Sequence, residues 1–284
     1  MPGHRIHTVV FPSDRDTEGL LAKTQPHLEF TKEEKEAGLA AMSAMGVPPD
    51  REIVCFHARD TAYLNLMNPG EARRYHDYLD SDAQSHVPAM KELVERGYYT
   101  LRMGAAVERP LVGDDEGVID YATKWRSDFL DIFLSARCSF FVGCGAGIDM
   151  VSKIFRRPWA RVNLIPLDGV SGSDRDVFIP KTLWLRKERR LLTFRETIET
   201  GLGRAGRSQD YESADVEILN DTPDEITALV LEMNARMKGT WNETDENRDL
   251  QKRFRDILGS SDMQGPAMPR IGSDFLRQNQ NLLD

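Results

Sequence analysis

Ile53-Val54-Cys55-Phe56-His57-Ala58-Arg59-Asp60 is the stretch that decides the fold. A short apolar run of β-formers gives way at once to histidine, arginine and aspartate. An apolar strand ending in charged residues is how an α/β fold presents a site at the carboxyl ends of its strands. Downstream the alternation continues. Asp82–Arg96 reads as a helix stopped by Gly97, a favoured residue just past a helix end. Tyr98–Met103 reads as a strand broken by Gly104, with a weaker strand around Val118-Ile119. Ser127-Asp128 opens a helix that runs through Ala136. Strand Ser139–Val142 leads into Gly143-Cys144-Gly145-Ala146-Gly147, then helix Ile148–Phe155 and strand Trp159–Leu164. Strands alternating with helices over residues 51–165 predict an α/β fold, a doubly wound and mostly parallel sheet.

The flanks extend this core. His7–Phe11 is one short apolar stretch. Thr31 caps a helix reaching about Gly46, with Glu34 three residues on and Phe30 as the staple. Leu64 to Asp82 has no strong period and carries the Asn68-Pro69-Gly70 turn. It is a long connection of the kind that often serves function. Val177–Ile179 reads as a short edge strand. Thr222-Pro223-Asp224-Glu225 starts a helix whose apolar positions are Ile226, Leu229, Val230, Met233 and Met237. Asp245–Leu258 is a further helix, Pro266–Pro269 a linker and Asp274–Leu283 a terminal amphipathic helix. The expected division is an N-terminal extension over 1–50, a central α/β domain over 51–220 and C-terminal helices over 221–284.

Composition narrows the function. With 40% hydrophobic and 29% charged residues, the chain has the balance of a folded protein. Its net charge of −9 makes nucleic acid a poor partner, because phosphate-backbone binding needs a basic face. Cys55, Cys138 and Cys144 are odd in number and show no zinc-ligand spacing, which fits reduced thiols. The sequence lacks a signal-type apolar segment. No run reaches the roughly 18 residues a membrane span needs. A cytoplasmic location without a transmembrane segment is expected.

Four constellations carry candidate chemistry. His57 and Arg59 sit at a strand end, where a guanidinium fork suits a diphosphate; an ion pair of Arg59 with Asp60 or another carboxylate, beside a satisfied histidine, is the plainer alternative. The glycines at 143, 145 and 147 permit close backbone approach before a helix N-terminus, a ready anion site. Their spacing is neither the dinucleotide G-x-G-x-x-G nor a P-loop, and a loop kept small for packing is the alternative. Arg102-Met103-Gly104, with Glu108, places another cation at a strand end, unless Arg102 is merely solvated. In Tyr75–Asp82, carboxylates suit sugar hydroxyls, while Asp82 better suits a helix cap. All four fall at or just after the carboxyl ends of predicted parallel strands.

At these residues the chain resembles a family of bacterial glycosyltransferases found with surface-polysaccharide genes. The resemblance rests on Val54–Leu64, Tyr75–Asp82, Arg102-Met103-Gly104, Arg126–Asp131, Phe155-Arg156-Arg157-Pro158 and Arg270–Leu276. It covers roughly residues 28–284. It implies a Rossmann-like fold similar to the C-terminal, nucleotide-sugar-binding half of GT-B glycosyltransferases. The His-x-Arg strand end is similar to a motif with which fucosyltransferase families hold a GDP-sugar. By that resemblance His57 and Arg59 contact the donor diphosphate, with Asp60 and Asp149 as candidate bases. Arg102, Gly104, Gly143, Gly145, Ala146, Gly147, Asn163 and Lys181 complete the expected donor site. The expected partners are a nucleotide sugar as substrate and a glycan or other acceptor, with no cofactor and no metal. The chain departs from the family in three ways. Its loop is serine-poor. Leu79 stands where an arginine is expected. About 50 residues precede the first motif, too few for an acceptor domain. A homodimer or partner subunit that completes the cleft is one expectation from this. Two rivals to the transferase are a non-catalytic donor-binding subunit and a hydrolase or epimerase.

Overall fold

The computed structural model describes residues 23–67, 74–113, 115–259 and 268–284. The stretch His7–Phe11, the Asn68-Pro69-Gly70 turn and Pro266 lie outside the described residues. Helix α1 (Lys32–Ala44) begins as its sequence dictates. Thr31 accepts from the Glu34 amide, and the Glu34 carboxylate takes the Thr31 amide at 2.7 Å, a reciprocal capping box. Strand β1 (Ile53–Phe56) follows, then the short helix α2 (Ala62–Met67). Where a helix was expected from Asp82, the chain makes a 3-10 turn, Ala83–His86, capped by Asp82. Helix α3 (Val87–Glu95) then carries on. Next come β2 (Tyr99–Arg102), β3 (Val118–Ile119), α4 (Tyr121–Lys124) and α5 (Asp128–Arg137). Then β4 (Phe141–Gly143), α6 (Gly147–Ile154), β5 (Trp159–Leu164) and β6 (Val177–Pro180) complete the alternation.

The second half adds β7 (Thr182–Leu185), β8 (Arg190–Leu191), α7 (Phe194–Glu199), α8 (Ser208–Ser213) and β9 (Val216–Leu219). It ends with α9 (Pro223–Met237), α10 (Asp245–Leu258), β10 (Arg270–Ile271) and α11 (Ser273–Gln278). Seven strands form one parallel sheet in the order β10-β6-β5-β4-β1-β2-β3. The fold is a Rossmann-like α/β sheet. From β1 the chain builds outward through β2 and β3, then returns to β4 on the other side. The switch point therefore lies between β1 and β4. A three-stranded antiparallel sheet, β8-β7-β9, stands beside it.

Period-two alternation explains the two apolar layers. Val54 and Phe56 point to one face, with Met90 and Leu93 of α3, Ile226 and Met233 of α9 and Phe254 of α10. Ile53 and Cys55 point to the other, with Met42 of α1 and Phe133 and Leu134 of α5. Each such fully buried side chain contributes about 1.5–3 kcal/mol. Strands covered on both faces have no polar side, which is why β1 is apolar at every position.

Two expectations change. Val177–Ile179 is not at an edge: β6 is paired by β5 on one side and by β10 on the other. The expected terminal helix Asp274–Leu283 is split into α11 and a 3-10 turn, Gln280–Leu283, and Phe275, Leu276, Leu282 and Leu283 are buried in the main core. Helices α9, α10 and α11 thus share one core with β1. Among the described residues no helix is long and apolar enough to cross a membrane.

Candidate functional site

The switch point brings the His57 strand end beside the glycine loop. The His57 amide donates to Val142 O at 2.8 Å, so the backbone leaves β1 alongside β4. The imidazole Nδ1 lies 3.5 Å from Asp149 Oδ1. Neither atom has a hydrogen-bond partner closer than that. Nε2 has no hydrogen-bond partner among the described residues, and the side chain is 12% exposed. Asp149 itself is fully buried. Its Oδ2 accepts the amides of Gly145 at 2.6 Å and Ala146 at 2.9 Å. Asp149 is the third residue of α6, so its carboxylate reaches back as half of a capping box.

The glycines serve that carboxylate. A Cβ on Gly143 would lie 2.5–2.7 Å from its atoms. Gly145 has φ +96°, in the left-handed region, and a Cβ there would meet Arg161 Nη2 at 2.9 Å. The loop was expected to cradle a ligand phosphate with its amides. Two of those amides instead hold the protein's own anion. The amides of Gly147 and Ile148, first in the helix, have no acceptor. They remain for an external anion, aided by the helix dipole.

Electrostatics set the histidine's role. Burial pushes the His57 pKa below its ordinary value; Asp149 opposes this, and Arg102 adds to it. A neutral ring with Nδ1–H toward Asp149 leaves Nε2 as a proton acceptor. Burial raises the Asp149 pKa, against the pull of His57 and the two loop amides. With Oδ2 fixed and no solvent access, Asp149 orients His57 and is badly placed to take a proton from a substrate. Asp60, the other expected base, accepts the Ala62 amide on Oδ1 and the Glu108 amide on Oδ2, both at 3.0 Å. It caps α2 and ties down the loop after β2.

The remaining expected residues divide. Arg59 stays at the edge: Nη1 donates to His76 O at 3.0 Å and lies 3.8 Å from Asp80 Oδ1. The plainer alternative, an ion pair of Arg59 with a carboxylate, is formed with Asp80 and not with Asp60. Asp80 is pushed up to about 6, mainly by burial. Lys181 is buried and lowered to about 8, and its Nζ donates to Tyr78 O at 2.8 Å and Asp80 O at 2.7 Å. It positions the tyrosine-rich segment against β6. Arg102 is not solvated: it is 2% exposed and pairs with Asp120 Oδ1 at 3.2 Å. It acts on the site through charge and through the loop it braces. Gly104 has φ +152°, and a Cβ there would meet Val107 at 2.8 Å, so it turns that loop. Asn163 bonds Asp221 in both directions, Asp221 amide to Oδ1 at 2.9 Å and its own amide to the carboxylate. It joins β5 to the start of α9, which engages its side-chain oxygen within the fold.

Arg161 was missed. It lies under the loop, 7% exposed, with Nη1 donating to Gly169 O at 2.5 Å. Its guanidinium and Lys153 Nζ each stand 4.5 Å from the Trp159 ring centroid. Its Nε is buried without a partner. The signal was in the sequence: Arg161 interrupts a strand buried at every position. His86 was missed too. It is buried, 6.1 Å from the Phe56 ring, and burial lowers it to about 4.

Two cavities lie elsewhere. One of about 20 Å³ sits behind Lys181, toward Leu192 and Tyr211. A groove of about 370 Å³ opens at the opposite, amino edge of the sheet. The switch point is favoured as the site by topology, the open Nε2 and the two free amides, not by enclosure. No family model, no curated protein and no solved structure matches the chain.

Proposed function

We propose that the chain is a glycosyltransferase of the GT-B type that takes a sugar from a nucleotide-sugar donor at the β1–β4 switch point. One observation carries this reading: His57, backed by Asp149, stands beside a helix start with two unclaimed amides. In the proposed reaction an acceptor hydroxyl oxygen attacks the anomeric carbon, and the bond from that carbon to the diphosphate oxygen breaks. His57 Nε2 takes the hydroxyl proton. The departing nucleoside diphosphate is held by the Gly147 and Ile148 amides and by the Arg59 and Arg161 guanidinium groups. The resemblance over Val54–Leu64, Tyr75–Asp82 and the later motifs supports an acceptor in surface-glycan synthesis, with the reaction proposed to run in the cytoplasm.

A second reading is supported by α2. Tyr63, Leu66 and Met67 are 47%, 64% and 58% exposed directly after the His57–Asp60 segment. An apolar helix with no buried residue, next to the site, suits a partner that completes the cleft.

Calorimetric titration with GDP, UDP, CMP and their sugars tests the proposal, repeated with Arg59→Ala. Micromolar binding of one nucleotide, lost in the variant, is expected. Binding without turnover transfers the case to the partner-dependent reading. No binding of any nucleotide overturns the donor site.

A further inference from the structure

The amino edge of the parallel sheet carries a groove of about 370 Å³ ringed by Arg51, Arg137, Arg156, Arg157 and Arg175. They arrive from four places: just before β1, the end of α5, the turn after α6 and the loop before β6. None lies within 4.0 Å of a carboxylate among the described residues. The rim carries two acids. Glu52 is held by Lys238 Nζ at 2.6 Å and takes Ser139 Oγ at 3.1 Å, which leaves Asp50 alone against the guanidinium groups. In a chain of net charge −9 this is a concentrated positive patch.

Helix capping explains part of it. The carboxyl ends of α5 and α6 point to this edge, and cations complement exposed carbonyls there. Arg156 is spent in this way, donating to Ile154 O at 2.7 Å and to Thr24 O at 2.9 Å. Arg157 spends only Nε, on Ala136 O at 2.5 Å, and keeps its two-pronged end free. The side chains of Arg51 and Arg175 make no hydrogen bond among the described residues, and both residues are exposed. Capping leaves these last three unexplained. Planar forks converging on one concavity match the oxygens of phosphate groups better than single carboxylates. The volume suits a small ligand and not a long polymer track.

We propose that this groove is a second binding site, selective for a compact oligophosphate-bearing small molecule. It is separate from the switch point: the six residues of β5 put roughly 20 Å between the two edges. An occupant here does not meet His57.

The test titrates the full chain with inorganic tripolyphosphate by calorimetry, with hexaglutamate as a carboxylate probe of similar charge. Arg51→Ala/Arg175→Ala removes two side chains that bond nothing, so the fold is retained. Tripolyphosphate is expected to bind, to weaken at least tenfold in that variant and to survive in His57→Ala. Hexaglutamate is expected to bind at least tenfold more weakly. Loss of binding in His57→Ala with retention in the arginine variant overturns the proposal, as does equal affinity for hexaglutamate or no binding at all.

Discussion

His57 Nδ1 lies 3.5 Å from Asp149 Oδ1, while the other oxygen of that carboxylate closes the glycine loop through Gly145 and Ala146. One buried side chain therefore fixes both the orientation of the imidazole and the shape of the loop. The two halves of the candidate site are coupled through it.

Asp149→Asn separates those duties. Its side-chain oxygen still accepts the loop amides, while its NH₂ group faces Nδ1 and drives the ring proton to Nε2. His57 then presents a donor where a proton acceptor is needed. In the transferase assay kcat is expected to fall at least about 100-fold, with KM within about threefold. In the parent protein the rate rises with pH through the lowered His57 pKa and is level by neutral pH. A variant that loses donor affinity and keeps kcat contradicts the positioning role.

The glycines make a graded series. Gly143→Ala drives a methyl group against the Asp149 carboxylate, and Gly145→Ala does so against Arg161 at a φ of +96°. Each is expected to cost about 1–3 kcal/mol in urea denaturation. Gly147→Ala meets nothing within 4 Å and is expected to be neutral or slightly stabilising. Equal effects at all three positions count against the loop being shaped around Asp149.

His86 gives a pH signature. Its folded pKa is about 4, below the ordinary 6.5, because burial disfavours the charged ring. Between those values the unfolded chain binds a proton that the folded chain refuses. Stability from His86 is thus present above pH 6.5 and lost as pH falls toward 4. The loss amounts to at most about 3 kcal/mol. His86→Leu is expected to flatten this part of the profile. The difference between variant and parent unfolding free energies, measured from pH 7 to pH 4, checks it. A constant difference refutes the assignment.

The central fold was legible because its elements are short and strongly patterned. β1, β5 and the capped helices α1 and α9 follow from local apolar runs and from Thr31 and Thr222. The place of β6 was not legible. Its outer neighbour is a two-residue strand, Arg270-Ile271, supplied by distant chain, and no local pattern announces such a pairing. The small sheet escaped for a similar reason: Arg190-Leu191 is too short to show a period. At the candidate site, residue types pointed to the carboxyl edge of the sheet, and the pairings stayed hidden. Nothing local says that Asp149 turns back into its own loop, or that Arg102 finds Asp120 eighteen positions on. Arg161 was readable in principle, as the one charge in a strand that is otherwise apolar except for Asn163.

The most direct test of the central claim is a ¹H–¹⁵N correlation titration of the labelled protein with the nucleoside diphosphate that binds in calorimetry. The Gly147 and Ile148 amides, without acceptors in the free protein, are expected to shift downfield as they bond the diphosphate, together with the His57 ring signals. Gly145 and Ala146, already bonded to Asp149, are expected to move little. Stationary Gly147 and Ile148 signals at saturation, with shifts gathered around Arg51 and Arg157 instead, would contradict the account.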